Sequence, residues 1–184
     1  MFGAATSRSK MIRTSCLPIS AVIAACACGP SPTSVLVGDG NYTASLNHFS
    51  VHEVAWLGLP VLSVKGKAAV RVVSVRFAHY PATGLSAPTF YRIAFTGTDH
   101  SSITLYEDRY FREFGHSVSG SYLGTTLRPG DPTGYGVAKL VVEKPGTFTV
   151  GDVVIRYAEP DGSQRTQTFH VNYVLGTTGG KLPG

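Results

Sequence analysis

The sequence predicts an all-β fold, an antiparallel β-sandwich of about seven to nine strands. Short runs of alternating apolar and polar residues recur from Val35 to Leu175, separated by Gly/Pro turn chemistry. No stretch carries the sustained 3.6-residue periodicity of a long helix. The 159 residues from Cys26 onward are enough for one domain, which at that size buries roughly 70% of its unfolded surface and needs no staples.

Taken in order, Val35-Leu36-Val37 and Tyr42 to Leu46 are short strands around a Gly38-Asp39-Gly40 turn. Val54 to Leu57 and Val61 to Val64 flank Gly58-Leu59-Pro60. Lys65-Gly66-Lys67 turns the chain into its longest early strand, Ala68 to His79. There Val73, Val75 and Phe77 fall on one face and Val70 and Val72 on the other, a pattern expected of a central strand. In Phe90 to Thr96, Tyr91, Ile93 and Phe95 are expected to face inward and Arg92 and Thr96 outward. Gly97-Thr98-Asp99-His100 reads as a turn, and Ile103 and Leu105 continue the next strand.

Glu107 to Phe114 breaks the rhythm. Tyr106, Tyr110 and Phe114 recur every four residues, which predicts a helical turn. Gly115 to Gly124, small and polar, predicts a long loop. Arg128-Pro129-Gly130-Asp131-Pro132 is turn chemistry, and strands follow at Tyr135 to Val142, Val153 to Tyr157 and Thr166 to Leu175. Pro160-Asp161-Gly162 joins the last two as a hairpin. In the last, Phe169, Val171, Tyr173 and Leu175 share a face opposite Thr168, His170 and Asn172. Residues 176–184 are expected to be a frayed tail.

The N-terminus has a different character. Arg8, Lys10 and Arg13 form a basic leader with no acidic residue before Asp39, and Leu17 to Cys28 is a mostly apolar run, the plan of a secretory signal. The run is shorter than the roughly 20 apolar residues that span a bilayer. Either Met1 or Met11 would supply a charged start. Ile23-Ala24-Ala25-Cys26, an aliphatic residue and two small residues before a cysteine, resembles the lipobox of bacterial lipoproteins. That resemblance implies a signal peptide over 1–25, a lipidated Cys26, a tether over 26–34 and a sandwich over 35–175, held on the outer side of the cell membrane. A cut after Ala27 in Ala25-Cys26-Ala27 fits the same residues and implies plain secretion.

Charge and cysteine content narrow the function classes. Of 16 Lys+Arg, three precede Cys26, leaving 13 against 11 Asp+Glu and a net of +2. Without a Lys/Arg cluster this is no footprint for nucleic acid. Cys16, Cys26 and Cys28 all lie in or beside the leader, so the body has neither a disulfide framework nor a thiol nucleophile. Asn41-Tyr42-Thr43 matches a glycosylation sequon that a bacterial lipoprotein signal leaves idle.

Together, the Ile23 to Cys26 motif, the Gly29 to Ser34 tether, the valine strand after Lys65-Gly66-Lys67 and the late Leu127-Arg128-Pro129-Gly130 turn form a recurring order. It resembles the telokin-like, immunoglobulin-type domains of bacterial surface lipoproteins and the related secreted immunoprotective antigens of mycobacteria. The resemblance spans about Val35 to Tyr173 and implies an immunoglobulin-like sandwich that binds or shields, with no catalytic motif and no cofactor. The aromatic segment from Glu107 to Gly124 departs from that pattern.

Candidate chemistry is sparse. His48, His52 and Glu53 share a neighbourhood but lack tetrahedral metal spacing, and solvated histidines account for them. His79, His100, His116 and His170 are scattered. Ser117 and Ser119 lack the G-x-S-x-G spacing of a nucleophile elbow. A group made of Tyr106, Arg109, Tyr110, Phe111, Arg112, Phe114 and Tyr122 combines aromatics with guanidinium groups on an irregular segment, as recognition surfaces do. The competing reading buries the aromatics as a cap on the sandwich. The expected function is a non-enzymatic binding module for a protein or glycan at the cell surface, with a structural shield as the alternative. Aromatics aligned in an exposed groove would favour a glycan, and an exposed apolar patch a protein.

Overall fold

A computed structural model describes residues 34–38, 41–95, 105–131 and 135–178. All belong to the compact unit Pro32–Gly184. The signal peptide, Cys26 and the turn at Gly97 to His100 lie outside the described residues.

Twelve strands are described, in place of about seven to nine. They are β1 (Ser34–Gly38), β2 (Tyr42–Phe49), β3 (Val54–Gly58), β4 (Leu62–Gly66), β5 (Val70–His79), β6 (Thr89–Phe95), β7 (Leu105–Glu107), β8 (His116–Ser121), β9 (Thr126–Leu127), β10 (Gly136–Val141), β11 (Thr147–Ala158) and β12 (Gln164–Thr177). One short helix, α1 (Asp108–Glu113), follows β7. One sheet runs β7-β3-β10-β6-β8, a second runs β2-β12-β11-β5-β9, and β1 pairs with β4 as a ribbon. Residues of both five-stranded sheets close over a common core, including Leu57 and Leu140 from the first and Ile155 and Tyr173 from the second. This is a β-sandwich, the layered plan expected. Among the described strands the ladders are antiparallel except at one edge, where β2 runs parallel to β12 with Tyr42 beside Val171.

The β11–β12 hairpin is the longest ladder. Asp161 fixes its turn by accepting from the Ser163 amide at 2.9 Å and the Ser163 hydroxyl at 2.7 Å. On β12, Phe169, Val171, Tyr173 and Leu175 are all buried, as the alternation requires. The strand continues to Thr177, so Gly176 and Thr177 belong to the ladder and not to a tail.

Strand β5 corrects the two-faced reading. Val70, Val72, Val75 and Phe77 are all buried in the same core. Arg156 pairs with Ser74 and Tyr157 with Val72, which leaves Val73 as an extra residue in a β-bulge. The bulge slips the side-chain phase by one residue, so Val70 and Val72 face the same way as Val75 and Phe77 although the two pairs are out of step in sequence.

Two contacts join the sheets. The Tyr42 hydroxyl lies 2.9 Å from the Gly58 carbonyl and 2.7 Å from the Tyr173 hydroxyl, and Tyr173 also donates to Gly58. Burial, chiefly, pushes the Tyr173 phenol far above its ordinary pKa. At one margin of the sandwich, His48 on β2 meets Glu107 on β7 at 2.6 Å.

The segment expected to be a loop from Gly115 to Gly124 is mostly β8, paired antiparallel with β6. Ser and Gly are poor strand formers, but a ladder to an apolar neighbour overrides that preference. Tyr91 and Ile93 also differ from expectation. Phe90 packs toward the sandwich core, whereas Tyr91 and Ile93 pack against a second cluster of Trp56, Phe111 and Val137.

Candidate functional site

That second cluster sits on the outer face of the first sheet. Residues paired across β7, β3, β10 and β6 run in a row: Tyr106 opposite Trp56, Trp56 opposite Lys139, Lys139 opposite Thr89. Trp56 therefore points away from the sandwich, and α1 folds back to cover it. Phe111 lies flat on the indole, with ring centroids 4.2 Å apart and planes 9° from parallel. Such a stack adds about 0.5–1.5 kcal/mol beyond the area it buries.

Six residues make a helix too short to persist alone, so α1 is held by its contacts. The Trp56 indole N–H donates to Asp108 at 2.9 Å, and Arg112 Nε donates to the other carboxylate oxygen of Asp108 at 3.0 Å. Arg109 pairs with Glu113 at 2.8 Å. The helix ends where Gly115 takes φ +72°, a left-handed conformation that glycine adopts without strain. Its amide donates to the Arg112 carbonyl at 2.9 Å.

Between α1 and β8 lies a cavity of about 340 Å³. Trp56 and Tyr91 contribute from the sheet, and Phe111 and Arg112 from the helix. His116, Ser117 and Val118 line it from β8. Lys139 reaches it from β10, its ammonium 5.6 Å from the Trp56 ring centre.

The seven sequence candidates separate into two groups. Tyr110 is 42% exposed and Phe114 63%, while the side chains of Arg109 and Arg112 are mostly in solvent. Tyr106 is half-buried and touches Phe114, with ring centroids 5.6 Å apart. Phe111, at 2% exposed, and Tyr122, at 0%, are core residues and offer no contact surface. Tyr122 packs where Gly136 has no side chain: a Cβ there would come within 2.6 Å of its ring. Burial alone raises its phenol pKa. The face of α1 that is buried is thus the Phe111 face, not the Tyr106–Tyr110–Phe114 stripe.

Trp56, Tyr91, His116, Val118 and Lys139 are absent from the sequence-derived group. The signal for Lys139 was local: one charge inside the apolar run Gly136 to Val142. Trp56 lies in a strand buried on both faces, which marks a sheet covered on its outer side as well.

Elsewhere, Asp152 receives two of the scattered histidines, His170 at 3.2 Å and His79 at 3.9 Å. His48 is engaged by Glu107, and His52 sits in a turn with φ +72°. Among the described residues, no three His, Cys, Asp or Glu side chains are grouped to hold a metal ion. Ser117 and Ser119 lie within a strand, not at a strand–turn–helix elbow. Among the described residues, no helix is long and apolar enough to cross a membrane.

No family model and no curated protein matches the chain. A solved structure, the ASH/PapD-like domain of human CEP192 (PapD-like domain 7), is similar at 11% identity with a TM-score of 0.38, covering 95% of this chain and 99% of that one.

Proposed function

We propose that the chain is a lipid-anchored envelope protein whose sandwich is a non-catalytic interaction module, engaging a protein partner through the surface built by α1 and β8. The anchor rests on the Ile23 to Cys26 motif and its basic, apolar context. The single observation that carries the surface is the exposure of Tyr110 and Phe114 along α1 and its end, beside two guanidinium groups and next to a formed cavity that exposed Val118 lines. Exposed large apolar side chains grouped in this way mark interaction sites.

A protein partner is favoured over a glycan because the largest ring face is already taken. Phe111 covers Trp56, so the aromatics form a patch with a pocket and not an open platform for a sugar ring. The basic rim and rigid aromatic side chains suit a protein contact at low rotamer cost.

A photo-crosslinking amino acid placed at position 114, and separately at exposed Thr168 on the far sheet, tests this in the full chain on cells. A discrete adduct from 114 and none from 168 is expected. Adducts from both or from neither would replace the module with a structural shield.

A further inference from the structure

We propose that the cavity beside Trp56 is a pocket for an acidic peptide segment, in which a carboxylate meets Lys139 while an adjoining apolar side chain rests on Phe114 and Val118. The inference deepens the interaction-module reading and rests on it.

Lys139 carries the argument. It is half-buried, set between buried Ala138 and Leu140 on β10, with Trp56 and Thr89 as its cross-strand neighbours. Among the described residues no carboxylate pairs with it, and its ammonium lies 5.6 Å from the centre of the Trp56 ring. An ammonium taken partly out of water is unfavourable unless an anion or a ring face compensates. Here only the ring is present, and the space beside it is open.

The nearby groups favour an anion. Arg112 and Ser117 line the same cavity and are hydrogen-bond donors. The acid adjoining the Trp56 edge, Asp108, is already engaged by the Trp56 indole N–H and by Arg112 Nε. A carboxylate entering the cavity therefore finds a cation that no described carboxylate pairs, while Asp108 is already engaged.

A peptide fits better than an acidic glycan. Val118 lines the cavity and exposed Phe114 adjoins it through His116, their ring centroids 6.4 Å apart, while no uncovered ring platform is offered. Strand β8, which supplies Ser117 and Val118, is an edge of its sheet and has one neighbour, β6, among the described residues. With no described strand on its outer side, β8 suits the backbone of an extended segment, a recurrent mode of peptide capture.

The test uses the full chain and its single tryptophan, Trp56, as a reporter in the cavity. Emission is followed on titration with acetyl-Leu-Glu-Phe-Glu-Leu-amide, its Gln counterpart, and an oligogalacturonate. A saturable change is expected for the Glu peptide, at least about tenfold tighter than for the Gln peptide, and none for the uronate; tenfold corresponds to about 1.4 kcal/mol. Lys139→Gln should reduce the Glu/Gln preference to under about twofold, and Lys139→Arg should restore it. Arg76→Gln, on the other sheet, should leave it unchanged. Equal affinity for the two peptides, a preference lost equally in Arg76→Gln, a response to the uronate alone, or no saturable response each overturns the carboxylate pocket. Equal peptide affinity that Phe114→Ala weakens would remove the pocket yet keep the interaction surface, whereas the crosslinking at 114 decides that surface by itself.

Discussion

Trp56 and Phe111 lie face to face at 4.2 Å, one on a central strand of the first sheet and the other on the only turn-length helix of the described chain. Fifty-five positions separate them in sequence, and their stack is what keeps α1 on the sheet. The α1 side of the candidate surface depends on that contact, together with the Trp56–Asp108 hydrogen bond.

Phe111→Ala should therefore cost about 3 kcal/mol, at the low end for a buried phenylalanine because the cluster is small. Urea unfolding measures the loss. Trp56 emission in the folded variant should shift to the red as the indole becomes wet.

The outward side chains should behave oppositely. Tyr110→Ala and Phe114→Ala are expected to change stability by under about 0.5 kcal/mol. Arg112→Ala loses one exposed ion pair, worth about 0.3–0.5 kcal/mol. Tyr110→Ala and Arg112→Ala should weaken adduct formation from position 114, and all three should keep the melting temperature within a few degrees. Unfolding of these variants would make the segment core.

Glu107 sets a pH dependence. Its pKa is raised from 4.5, first by desolvation and next by Glu53, while His48 and Arg109 pull it down. The folded state then holds a proton that the unfolded state has released, so this group's contribution to stability falls as pH rises from 4.5 through the raised value. Glu107→Gln removes that slope and still offers His48 an acceptor. Relative to wild type, the variant should gain stability as pH rises above 4.5. Denaturant melts across that range check it, and a gap that moves the other way means the His48 contact dominates.

Cys26→Ser should abolish incorporation of a labelled fatty acid and leave the leader attached. Metabolic labelling followed by mass measurement of the chain reads both. Equal label in wild type and variant would remove the anchor.

The strands were legible because a two-residue alternation is local: Phe169 to Leu175 shows its buried face without reference to any partner. The helix was legible from the spacing of Tyr106, Tyr110 and Phe114, but its orientation was not. Which side of α1 is buried depends on Trp56, far away in sequence, and Tyr110 and Phe114 of the periodic stripe proved to be exposed while Phe111 is the buried residue. Strand β8 was hidden because its Ser and Gly residues carry no strand preference, and its ladder comes from β6. The parallel pairing of β2 with β12 joins the two ends of the fold, which no neighbouring residues could encode. Lys139 was visible as an isolated charge in an apolar strand, yet its meaning depends on the ring opposite it.

The bulge at Val73 has a further consequence for chain length. Val73 has no partner on β11, so deleting it would leave every pairing between β5 and β11 in place. The shortened run Val70-Arg71-Val72-Ser74-Val75-Arg76-Phe77 would alternate strictly, with all four buried residues still inward. A one-residue deletion in mid-strand normally inverts every side chain beyond it. Here it would cancel an inversion already present, so loss of Val73 should be borne far better than loss of Val75, and a relative one residue shorter at this point would keep the same core.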